Sequence, residues 1–267
     1  MSKVVLITGA SSGIGKSTAK LLSKKGFRVY GTGRNPNINE NIGYSLIPLD
    51  VTKSETISLA IDLILEKEGR LDVLVNNAGM GITGPIEDTP TSEMRKVFET
   101  NFFGAIDMMK AVLPQMRKQQ SGTIINVTSI AGYMGLPYRG VYSATKGALD
   151  LVSEAARMEV KEFGVNIVTI APGDVATNIA AGRYHTPVFD NSAYKEKYQM
   201  NLDLMDSHVD SGMNPIKMAE KIHQIVNLKQ PIVHYKVGAF MEKFSIVLKK
   251  ILPSKIYEKL LMNHYKL

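Results

Sequence analysis

The stretch Lys3–Thr8 (KVVLIT) is an apolar strand. It runs straight into Thr8-Gly9-Ala10-Ser11-Ser12-Gly13-Ile14-Gly15 and then into a helical pattern through Lys25. An unbroken apolar run of this length reads as a strand buried on both faces, as in a parallel sheet. Glycines at 9, 13 and 15 let the backbone turn sharply and approach a ligand closely. The helix that opens there offers free N–H groups and a positive dipole end to a phosphate. Strand, glycine turn and helix predict the opening of a dinucleotide-binding unit rather than a plain βα turn. The spacing is G-x-x-x-G-x-G, not G-x-G-x-x-G.

The same alternation continues down the chain. Strands are expected at Arg28–Thr32, Tyr44–Leu49, Asp72–Val75, Thr123–Thr128, Asn166–Ala171 and near Pro231–Tyr235. Helices are expected to Glu68 after a Thr52 or Ser54 cap, over Thr91–Lys118, from Tyr142 to Phe163, and near Pro215–Asn227. This predicts an α/β fold, a doubly wound (Rossmann-type) parallel sheet of about seven strands with helices on both faces. All 267 residues are expected to form one domain. Within it, 178–212 lacks a clear period and reads as a mobile substrate loop, with short helices as an alternative, and 240–267 reads as a basic amphipathic C-terminal extension. The glycine turn is not the only candidate at a strand end. Gly33-Arg34 closes the second strand where a ribose-binding carboxylate would hold NAD, and a guanidinium there suits a 2′-phosphate, so NADP is favoured over NAD. Asp50-Val51 ends the third strand, where Asp50 either contacts the ligand or joins the helix cap. Asn76-Asn77-Ala78-Gly79 ends the fourth, with amides able to tie neighbouring strands. Pro172-Gly173-Asp174-Val175-Ala176-Thr177 ends the sixth. In an open α/β sheet the ligand crevice lies at these carboxyl ends, so the motifs converge.

Three residues in Val127–Lys146 could act together: Ser129, Tyr142 and Lys146. Tyr142 and Lys146 stand at i and i+4, on one face of a helix. Tyrosine ionises near ~10, and a nearby ammonium stabilises the phenolate, so the pair suits proton transfer near neutral pH. A loop with Gly132, Gly135 and Gly140 can fold back to bring the Ser129 hydroxyl beside the phenol. Asn101 sits mid-helix, at a mild propensity cost that asks for a reason.

Together, T-G-A-S-S-G-I-G at Thr8–Gly15, N-N-A-G at Asn76–Gly79, Asn101, Ser129, Y-S-A-T-K at Tyr142–Lys146, and Pro172-Gly173 with Thr177 resemble the short-chain dehydrogenase/reductase family, in its shorter single-domain branch. The resemblance covers roughly Lys3–Asn178. It implies an oxidoreductase moving hydride between NADP(H) and a carbonyl/secondary alcohol pair. It makes Tyr142 the general acid/base, Lys146 the group that depresses its pKa and holds the nicotinamide ribose, Ser129 the partner of the substrate oxygen, and Asn101 the holder of a relay water. It places Gly9, Ser11, Gly13, Ile14, Arg34, Asp50, Val51, Asn77 and Thr177 around the cofactor, with Ser12, Gly15, Ala78, Gly79, Pro172, Gly173 and Val175 from the same motifs. A cofactor sensor or scaffold that lost turnover would show a broken catalytic set; none of the four residues is missing.

Charge and composition bound the partners. From Lys229 to Leu267, eight lysines face only Glu242 and Glu258, so the tail carries nearly all of the formal +7. The body is close to neutral, which argues against nucleic acid. The chain has no cysteine, no signal-peptide shape and no long apolar run, which together suggest a cytoplasmic setting. The tail reads as one or two amphipathic helices around Pro253: a pack against the domain or a second subunit, a lid over an apolar pocket, or an interfacial, peripheral membrane anchor. The chain's five histidines lack HxH or HxxxH spacing, each reads as a loop or surface residue, and no metal is expected. Met80, Ile82, Ile130, Tyr133, Met134, Leu136 and Tyr184–Met205 are expected to line the substrate mouth. Their apolar character suggests a lipophilic steroid-, retinoid- or lipid-like substrate. Apolar surface on the helices around Phe102–Lys118 and Tyr142–Phe163 suggests a homodimer or homotetramer.

Overall fold

The computed structural model describes residues 2–37, 42–177, 182–188, 191–210 and 212–267, and of 206–210 the backbone alone. Its strands are β1 Val4–Ile7, β2 Arg28–Gly33, β3 Ser45–Pro48, β4 Val73–Asn76, β5 Ile82–Thr83, β6 Gly122–Val127, β7 Val165–Pro172, β8 Tyr184–His185 and β9 His234–Val237. Its α-helices are α1 Gly13–Lys24, α2 Ser54–Glu68, α3 Thr91–Phe98, α4 Gly104–Gln119, α5 Gly140–Glu159, α6 Lys195–Asp210, α7 Pro215–Val226, α8 Phe240–Ile251 and α9 Ser254–His264.

Seven strands form one parallel sheet in the order β3-β2-β1-β4-β6-β7-β9, and β5 and β8 make a separate parallel pair. β1 shows why the strands read as apolar throughout. Val4 and Leu6 enter the core under α2 and α4, with Leu74, Met108 and Ile124. Val5 and Ile7 point to the other face, with Leu22 of α1 and Ile222 and Ile225 of α7. Alternate side chains go to opposite faces, and here both faces are dry.

Several elements differ from the sequence reading. The helix expected over Thr91–Lys118 is broken by a π-helical turn, Glu99–Phe103, centred on Asn101. The capping expectation for α2 fails. Lys53 occupies the N-cap position without a side-chain bond, while Asp50 accepts bonds from the Thr52 N–H and hydroxyl. The last strand starts at His234, later than Pro231. Within 178–212, the segments 178–181, 189–190 and 211 lie outside the described residues, and Lys195–Asp210 is one 16-residue helix where a loop with at most short helices was expected. The tail does form two helices with Pro253 between them. They pack Ile246 and Tyr257 against Ile130, Met134 and Ala171.

Candidate active site

The glycine turn sits at the carboxyl end of β1, with Gly9 at φ +65° and Gly13 at φ +53°. A side chain at Gly9 would press on the Ala78 backbone, and one at Gly13 on Thr177. The β1, β4 and β7 ends are thus drawn together at one point. Asn77 seals the first two: its side-chain amide donates to the Thr8 and Gly9 carbonyls at 2.9 and 3.1 Å, and its own N–H donates to the Thr8 hydroxyl. Asn76 ties β4 to β6 through Asn126 at 2.9 Å. α1 has neither a side-chain cap nor an acidic residue in its first turn, so its N–H donors and dipole remain available to an anion. Arg34 is exposed at the end of β2, beside Gly33, which faces the Ser11 hydroxyl. Burial by itself would raise the Asp50 carboxyl, but the Thr52 bonds, then Lys53 and Arg34, hold it below the usual range. Val51 is buried against Gly104 and closes the floor of this region.

On the other side of the crevice, Ser129 follows β6 and caps the short turn Ile130–Tyr133, accepting from the Ala131 N–H at 3.1 Å. That turn lies directly on α5, where a Cβ on Gly132 would stand 3.0 Å from the Gly147 nitrogen. The Gly132–Gly147 approach is what brings Ser129 up to the face of α5 that carries Tyr142 and Lys146. The Lys146 amine donates to the Val127 carbonyl at 2.9 Å and lies 6.0 Å from the centre of the Tyr142 ring. Lys146 is buried, and loss of hydration lowers its pKa to about 8. Asn101 is buried too. Its amide donates to the Met80 carbonyl at 2.9 Å and accepts from the Met80 N–H at 2.8 Å, with a further contact to Thr145. This commitment to Met80 is what the wide π turn accommodates.

Two spaces that share Ser129, Arg139, Gly173 and Asp174 as walls open here. A small pocket of about 80 Å³ is bounded by Ser129, Tyr142, Ile14, Pro172, Val175 and Thr177. A cavity of about 1190 Å³ extends from Ser129 past Ile130, Met134 and Leu136 to α6, α8 and α9. Ile130, Met134, Leu136 and Met205 line it as expected. Ile82 faces the small pocket instead, and Met80 is held by Asn101. Tyr133 turns away, behind the wall, with Lys236 5.1 Å from its ring and Asp150 nearby. Burial first, then the Asp150 charge, pushes its phenol well above the usual range. Tyr184 is engaged in β8 against Ile82.

The sequence reading passed over Arg139, which lines both spaces and sits 5.6 Å from the Tyr142 ring. It also passed over Glu242, which accepts from the Asp174 N–H at 2.7 Å and the Ala239 N–H at 2.6 Å. Gly173, expected at the cofactor, owes its lack of a side chain to this carboxylate, as does Gly238. Neither signal was local in sequence. His234 is not a free surface group: it contacts Glu154 at 3.0 Å, Thr169 at 2.8 Å and Asp150 at 3.5 Å. Asp150, Glu154 and His234 offer ligand atoms within 4.8 Å of one another. The imidazole between two carboxylates accounts for the grouping as a link from α5 to β9.

A doubly wound parallel sheet with a glycine cradle at its first strand end, and a Ser/Tyr/Lys group across the crevice, defines a nicotinamide-dependent oxidoreductase scaffold. The chain belongs to the short-chain dehydrogenase family, whose model matches residues 3–187. It is 40% identical over 265 residues to a Bacteroides thetaiotaomicron protein named 3-ketodihydrosphingosine reductase, covering 98% of each chain. A crystal structure of a short-chain dehydrogenase from Streptomyces avermitilis superposes at TM-score 0.83 with 31% identity, over 97% of this chain and 98% of that one. The structure of ElxO with NADP bound superposes at TM-score 0.73 with 30% identity, over 89% and 97%.

Proposed function

We propose that the protein interconverts a carbonyl and a secondary alcohol on a lipophilic substrate, using NADP(H). The observation that carries this reading is the convergence of Ser129 and Tyr142 on one pocket with the glycine-turn and β7-end residues, over a buried Lys146. The cradle fits a dinucleotide: Gly9 and Gly13 hold positive φ, and the α1 donors are uncapped. Gly9, Ser11, Ser12, Gly13, Ile14 and Gly15 would hold the phosphates. Asp50, Val51, Asn77 and Ala78 would border the adenosine half, and Gly79, Pro172, Gly173, Val175 and Thr177 the nicotinamide half. When bound, that cofactor supplies or accepts the hydride.

The chain's own residues handle the proton. Tyr142 donates it to the substrate oxygen during reduction and takes it back during oxidation. The Ser129 oxygen already accepts from Ala131, which leaves its O–H to donate to the same substrate oxygen as charge develops there. The Lys146 amine stands 6.0 Å from the centre of the Tyr142 ring, and burial brings its pKa down to about 8, so it can pass a proton on. Because the Asn101 amide is committed to Met80, a relay water would be held by main-chain groups of the π turn. The exposed Arg34, with no carboxylate at the β2 end, favours a 2′-phosphate and hence NADP. The apolar lining from Ile130, Met134 and Leu136, and a relative named for a lipid-like ketone, favour a lipid-like substrate.

Tyr142→Phe should abolish NADPH oxidation with a panel of lipophilic ketones while leaving NADPH binding, read by fluorescence titration, close to wild type. Substantial residual turnover rejects the assignment. Arg34→Asp should shift the ratio of kcat/KM for NADPH over NADH toward NADH; an unchanged ratio removes the phosphate role from Arg34.

A further inference from the structure

Exposed apolar side chains are concentrated in the tail. Phe240, Phe244, Val247 and Ile251 are 73, 37, 47 and 68% exposed, and they recur at i, i+4, i+7 and i+11 along α8. That spacing makes one continuous stripe, on the side of the helix away from buried Ile246. On α9, Ile256 and Leu260 repeat the pattern at i and i+4. Lys243 and Lys250 fall beside the α8 stripe, and Lys255 and Lys259 beside the α9 pair, all exposed. Of the tail's two acids, Glu242 is turned inward onto backbone N–H groups, so it does not offset the lysines on this face. The chemistry is apolar side chains rimmed by ammonium groups. That matches an anionic bilayer surface, with acyl chains below and phosphates above.

A second observation joins this face to the site. Met241 and Leu260 are exposed by 65 and 46% and also line the large cavity that reaches Ser129. The cavity mouth therefore opens at the edge of the apolar stripe. We propose that α8 and α9 dock on an anionic lipid bilayer and that the lipophilic substrate passes from the membrane into the cavity between them. The delivery half of this proposal rests on the lipid-like substrate reading above; the docking half does not.

The test uses the full chain, sedimented with vesicles of phosphatidylcholine alone or mixed with phosphatidylglycerol. The wild type should sediment with the mixed vesicles and stay in solution with the neutral ones. Val247→Glu with Ile251→Glu should weaken that binding by roughly tenfold or more. Lys250→Gln with Lys259→Gln should weaken it by roughly fivefold per charge, an effect that salt reproduces in the wild type. Neither pair lines the cavity, so turnover of a short water-soluble ketone should hold in all variants, while turnover of a long-chain ketone embedded in mixed vesicles should fall with binding. Equal sedimentation of wild type and both variants overturns docking. So does a wild type that ignores vesicles but loses a subunit contact, by light scattering, when Val247 and Ile251 are replaced, since the stripe then lies between copies. A wild type that binds vesicles but reduces no long-chain ketone in vesicles or in detergent leaves docking intact and rejects the substrate reading and the delivery that rests on it.

Discussion

Lys146 is held in a setting that costs stability. Its depressed pKa means that the folded protein binds its proton less tightly than the unfolded chain does. The penalty is fully present below pH 8, and it is relieved as pH rises from about 8 through the unfolded value of 10.5. By that shift it amounts to about 3 kcal/mol at pH 7. Lys146→Met removes the charge, and the lost bond to the Val127 carbonyl takes back about 1 kcal/mol. The variant should therefore be inactive yet more stable than wild type by about 2 kcal/mol at pH 7, with the gain shrinking above pH 8. Urea unfolding at a series of pH values checks this. A variant less stable at pH 7 contradicts the burial argument. Asn101 differs in kind. Its amide satisfies both backbone groups of Met80, so Asn101→Ala leaves a half-buried donor and acceptor without these partners. A loss of about 2 kcal/mol is expected in the same measurement.

Among the elements, the strands were the most legible. β1, β4, β6 and β7 are apolar on alternate sides because helices cover both faces, and that leaves an unbroken signature. The elements that were misread hide their pattern. α6 buries Tyr198, Asn201 and Met205, a helical spacing whose middle member is an asparagine bonded to the Lys197 carbonyl. A polar residue inside the stripe erases the period that identifies a helix. The π turn at Glu99–Phe103 has a register of five, which no apolar repeat announces. Among the candidate site residues, the shared face of Tyr142 and Lys146 was legible because one helix carries both. Arg139 and Glu242 were not, because their roles depend on contacts across the sheet, and Glu242 reaches a peptide 68 residues away. Glu242 holds α8 in place by two bonds to backbone N–H groups. Glu242→Ala should cost about 2 kcal/mol, read as a lower urea midpoint. Hydrogen exchange in α8 should rise more than in α1.

Taken as one body, the molecule leaves a second apolar surface uncovered. Leu151 and Met158 on α5 are 68 and 72% exposed, and Phe103 next to α4 is 47% exposed. Residues 151 and 158 are two turns apart on the outer face of the helix that carries Tyr142 and Lys146. A homo-oligomer pairing these helices would cover them. Leu151→Glu with Met158→Glu should then give a smaller species by light scattering, and an unchanged mass would place any subunit contact elsewhere. No described helix is long and apolar enough to cross a membrane.

The carboxylate of Glu242 grips two parts of the chain at once: the first residues of the tail helices and the peptide just past the end of β7. Gly173 and Gly238 leave no slack around it. Tail and strand end are therefore geared to each other. Any swing of α8 that widens the cavity pulls on Asp174, between Gly173 and Val175. A shift of α8 and a shift of the segment beside Thr177 would happen in step, as two ends of a single lever.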